Sequence, residues 1–147
     1  MREKSVGIRV SCRQKDEVGE EIFLSYEVSG LMGERGGAAF LTYEEPEASG
    51  LSGTRTTLFF VGDGLRLVRT GSVSMRLLLS PEETSEGLYR TDVGTIFLRA
   101  DVHLLENEIA GGAGRLRIVY TMEAEGLFSH ENELVIEVLE DVGFHGH

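Results

Sequence analysis

Residues 43–79 read YEEPEASGLSGTRTTLFFVGDGLRLVRTGSVSMRLLL, three strand-like runs separated by glycine turns. The middle turn, Gly62-Asp63-Gly64, stands between the runs Thr54–Val61 and Leu65–Thr70. Glycine supplies the positive φ that a tight hairpin demands, so this segment predicts adjacent antiparallel strands, continued by a third over Val73–Leu79. Pro46 has no N–H to donate to a ladder and must end the run Ala38–Glu45 that precedes it.

The same period-2 alternation extends in both directions. Toward the N-terminus, Val6, Ile8, Val10 and Cys12 alternate with Ser5, Arg9, Ser11 and Arg13. Ile22, Leu24, Tyr26 and Val28 then alternate with polar neighbours over Glu21–Gly30. Gly30–Gly37 reads as a polar turn. Toward the C-terminus, Ser80–Glu83 reads as a loop and Leu88–Thr91 as a short strand. Thr95–Leu105 carries Ile96, Leu98, Ala100, Val102 and Leu104 on one side. Leu98, Val102, Leu105 and Ile109 also fit helical spacing, but the strand reading is preferred. Beyond the glycine turn 111–114, Leu116, Ile118, Tyr120, Met122 and Ala124 share one face, as do Leu134, Ile136 and Val138; the tail from Glu140 reads as frayed. Nine or ten strands joined mostly by short hairpins, with no convincing helix, predict an all-β fold: an antiparallel up-and-down barrel of about 8–10 strands, in a single domain spanning residues 1–147.

Composition narrows the partners. The chain has 147 residues, 25 acidic against 14 Lys and Arg, for a net charge of −11. Such a domain repels phosphate backbones and anionic lipid surfaces, so neither nucleic acid nor membrane is expected as a partner. Cys12 is the single cysteine, no signal-peptide pattern opens the chain, and no apolar run approaches a membrane span. A cytoplasmic protein with a buried, inert thiol is expected.

Catalytic and metal chemistry finds little support. His103, His130, His145 and His147 lack zinc-site spacing, and no nucleophile elbow or phosphate loop occurs. No cofactor, metal site or catalytic residue is expected, and an enzyme is the least favoured class. What remains is a polar constellation at strand ends: Tyr43, Glu44, Glu45, Thr56, Arg69, Tyr89, Thr91 and Tyr120. Arg69 shares its face with Leu65 and Leu67, which carries a guanidinium toward the barrel interior, where it needs a partner; Glu44 or Glu45 is the expected one. A closing ion pair and a ligand site at the barrel mouth both fit this set.

Several motifs, in this order and spacing, resemble one family. They are YEE at 43–45, GTRTTL at 53–58, LVRTG at 67–71, Met75, YRTDVGT at 89–95, RIVYTME at 117–123 and SHENELVI at 129–136. Together they resemble the YwiB-like family of small uncharacterised bacterial proteins. The resemblance implies a calycin-like, lipocalin-like β-barrel and supplies no catalytic residues. The leading expectation is a barrel that binds a small apolar or amphipathic ligand. The alternative is a structural or regulatory interaction module with a filled barrel, acting through its acidic surface or as a homodimer.

Overall fold

The computed structural model describes residues 3–110 and 112–140. The histidines at 145 and 147 and nearly all of the tail lie outside the described residues. Ten antiparallel strands follow one another in chain order: β1 (Lys4–Lys15), β2 (Glu21–Arg35), β3 (Ala38–Glu44), β4 (Thr54–Val61), β5 (Gly64–Gly71), β6 (Ser74–Leu79), β7 (Ser85–Thr91), β8 (Gly94–Asn107), β9 (Gly114–Ala124) and β10 (Phe128–Glu140). Each pairs with its sequence neighbours, and β1 pairs with β10 to close the barrel. Closure leaves no free sheet edge. The Gly62-Asp63-Gly64 hairpin forms as expected, with Gly62 at φ 58°.

Three local expectations are corrected. The strand expected to stop at Gly30 runs on to Arg35, and Gly36 and Gly37, both at positive φ, make the turn. Gly30 lies inside the ladder because a Cβ there would stand 2.5 Å from Ile8 Cδ1 and from the Thr42 carbonyl oxygen. Residues 94–107 are strand rather than helix, but the pairing shifts between Val102 and Leu104. This bulge at His103 reverses the facing of the residues after it. Leu105, not Leu104, therefore packs against the core. Ile22, placed on the inner face by alternation, is 62% exposed.

Val6, Ile8, Leu58, Leu65, Leu77, Leu79, Leu116, Ile118, Ile136 and Val138 are buried and meet in one cluster that fills the end of the barrel where β1 begins. The exterior carries ion pairs such as Arg9 with Glu27 and Glu137, and Arg117 with Glu133. Apolar inside and charged outside is the reverse of a barrel embedded in lipid. No helix among the described residues is long and apolar enough to cross a membrane.

Candidate functional site

The other end of the barrel, where β1 and β3 finish and β2 and β4 start, is lined differently. Parity along β3 sends Leu41 and Tyr43 inward, and the next inward position is Glu45, just past the strand. The Glu45 carboxylate is only 5% exposed. It is held by two donors, the Tyr26 hydroxyl of β2 to Oε1 at 2.9 Å and the Thr56 hydroxyl of β4 to Oε2. The Tyr43 hydroxyl lies 3.5 Å from that of Tyr26. On β5, Arg69 Nε donates to Thr56 Oγ1 at 3.3 Å. A relay thus runs from guanidinium to hydroxyl to carboxylate to phenol across four adjacent strands.

Arg69 is half-buried. Its charge is felt by Cys12 on β1 and Tyr120 on β9, neither of them on a strand adjoining β5. Burial pushes the Cys12 thiol up while Arg69 pulls it down. Tyr120 is pushed up to about 12 by burial, then by Cys12, with Arg69 opposing. Tyr26 and Tyr43 are pushed well above the ordinary tyrosine range by burial first, with the Glu45 carboxylate adding to it. At neutral pH these phenols are therefore neutral donors rather than bases or nucleophiles. One more hydroxyl belongs to this wall. Thr54, on the inward parity of β4 with Thr56, is fully buried, and its Oγ1 has no hydrogen-bond partner among the described residues.

The structure brings together Tyr43, Glu45, Thr56, Arg69 and Tyr120 from the expected set. The expected ion pair is corrected: among the described residues Arg69 makes no salt bridge, and it reaches Glu45 only through Thr56. Glu44 points outward, its side chain 64% exposed, and pairs with Arg55. Thr91 is occupied with its own turn, accepting from the Val93 amide and donating to the Gly94 carbonyl. Tyr89 packs against the core from β7, in register with Met75, which itself pairs with Arg69. Tyr26 was missed as a site residue although its inward parity was plain, because its approach to Glu45 depends on the β2–β3 register.

Nearby apolar side chains on the opposite wall, Ile96, Met122, Phe128 and Leu134, are only partly buried. Arg69 also lines a groove of about 310 Å³ on the β5–β6–β7 seam, where β6 and β7 pair at only two positions. A larger groove of about 710 Å³ lies at the β9–β10 turn, lined by Phe97, Arg99, Glu123 and Leu127 among others, apart from the relay. Among the described residues no cluster of His, Cys, Asp and Glu has a metal-binding arrangement. His103 bonds Thr121, and His130 stacks on Phe128.

Comparison with known proteins is consistent with this architecture. Residues 8–136 match the family described as a domain of unknown function, DUF1934. The crystal structure of the ywiB protein from Bacillus subtilis superposes with a TM-score of 0.82, covering 94% of this chain and 92% of that one at 17% identity. At that identity the likeness carries the fold alone. No curated protein matches the chain.

Proposed function

This chain belongs to the DUF1934 family, and from that premise we propose that it is a small-molecule-binding barrel whose ligand is amphipathic and seats its anionic head on Arg69. The observation that carries the reading is the state of that guanidinium. It is half-buried, uses Nε on Thr56, and pairs with no carboxylate among the described residues. A guanidinium withdrawn from water normally finds a carboxylate or phosphate for its two-pronged face. The Thr54 hydroxyl, without a hydrogen-bond partner among the described residues, adds a second polar group on the same wall. Ile96, Met122, Phe128 and Leu134 supply an apolar wall for the ligand's body. The aliphatic filling of the opposite end sets the floor. A cytoplasmic setting, in which Cys12 stays a thiol, fits this reading.

Titration with anilinonaphthalene sulfonate, an aromatic body with an anionic head, tests it. We expect one saturable site with enhanced fluorescence, and weakening by roughly tenfold to a hundredfold in Arg69→Met, the range of one lost charge-assisted hydrogen bond. Equal affinity in wild type and Arg69→Met, with both folded by circular dichroism, overturns the assignment.

A further inference from the structure

The outer surface of the barrel divides into two chemistries. Over β8, β9, β10, β1 and β2, guanidiniums and carboxylates stand on neighbouring strands and pair. Arg9 meets Glu27 at 2.9 Å and Glu137 at 3.5 Å, while Arg117 meets Glu133 at 2.7 Å and Glu106 at 3.5 Å. Over β5, β6 and β7 the arginines stand without acids. Arg66, Arg76 and Arg90 are exposed on three successive strands, and none makes an ion pair among the described residues. In a chain with 25 acidic residues against 14 basic ones, three neighbouring unpaired arginines are a marked local excess.

Apolar side chains interleave with them. Phe59 and Leu78 flank Arg66 in register, Val68 stands opposite Arg76, and Leu88 stands opposite Phe97, which is 70% exposed. Val68, Arg76, Leu88 and Arg90 line the groove of about 310 Å³. Glu86 marks the boundary of this face, where it turns toward Arg99.

We propose that this face docks a different protein through an acidic segment, whose carboxylates the three arginines receive while Phe97, Leu88 and Val68 cover its apolar side chains. Arginine and aromatic residues are the types enriched at interface centres, and the guanidinium fork fits a carboxylate bidentately. Charge complementarity selects the partner. A second copy joined by a two-fold axis through this face would set arginine against arginine. Nucleic acid would present phosphates and sugars to this face, with no apolar side chains to cover Phe97, Leu88 and Val68. None of these three arginines takes part in the interior relay on which the small-ligand reading rests, although Arg69 of that relay lines the same groove.

Fluorescence anisotropy with a labelled decaglutamate peptide tests the proposal on the full chain. The peptide should bind at low ionic strength, weaken with added salt, and lose roughly tenfold or more in affinity in the combined Arg66→Gln, Arg76→Gln, Arg90→Gln variant. Arg115→Gln, on β9, should bind like wild type. No binding, or an equal loss in Arg115→Gln, overturns the proposal. A duplex oligonucleotide that binds more tightly than the peptide also overturns it, as does self-association that the triple variant abolishes.

Discussion

The two ends of this barrel are built from the same ten strands and are lined by opposite chemistries. At one end Val6, Leu65, Leu79, Leu116 and Val138 fill the interior with aliphatic groups. At the other, Tyr26, Tyr43, Glu45, Thr56 and Arg69 occupy inward positions that parity would equally have allowed to Leu or Ile. Burying a carboxylate and half-burying a guanidinium without direct pairing is less favourable than filling the same space with aliphatic side chains. The difference therefore separates an end whose filling provides stability from one whose polar lining costs it, and it is to the second that we assign the proposed ligand.

The largest expected effect is at the filled end. Leu77→Ala removes a side chain that is 1% exposed and should cost about 2–5 kcal/mol by urea unfolding, with probe binding unchanged. A loss below about 1 kcal/mol would mean that this end collapses freely and is not close-packed. Next comes Glu45→Ala, which leaves the Tyr26 and Thr56 hydroxyls without their acceptor and should cost about 1–3 kcal/mol. If it instead stabilises the protein, the polar end contributes nothing to folding, and the contrast between the ends sharpens.

Alkaline pH acts on the polar end alone. Tyr120 is pushed up to about 12, and Tyr26 and Tyr43 are also raised, so the folded state keeps protons that the unfolded chain releases. Their contribution is fully present below about pH 10, where unfolded tyrosine begins to ionise. It is lost as pH rises toward the folded values, at about 1 kcal/mol per pH unit for each such group. Thermal melts followed by tyrosinate absorbance should show these three phenols ionising together with unfolding. Ionisation of all three in a protein that stays folded would contradict their burial. The smallest effect belongs to the exterior: Glu44→Ala breaks only the exposed pair with Arg55 and should cost about 0–1 kcal/mol.

Much of this architecture was legible in the alternation itself. Val6, Ile8 and Val10 face in as their spacing required, and the glycine hairpin after Val61 set two strands side by side. The site was legible in part. Arg69 was placed on an inward face by its spacing from Leu65 and Leu67, and the parity of Leu41 and Tyr43, had it been counted on, singles out Glu45 over Glu44. What alternation along one strand could not supply was register between strands. The meeting of Tyr26 with Glu45 depends on how β2 slides along β3, and the inward turn of Leu105 depends on one inserted residue at His103. The continuation of β2 past Gly30 was hidden because glycine there serves close packing rather than a turn.

If the polar end is the end that binds, an amide-resolved NMR titration with anilinonaphthalene sulfonate shows it most directly. Shifts should concentrate at Tyr26, Glu45, Thr56, Arg69 and Tyr120, with Val6, Leu65, Leu79 and Val138 unmoved. Shifts spread evenly through both ends, or confined to the filled end, would contradict it.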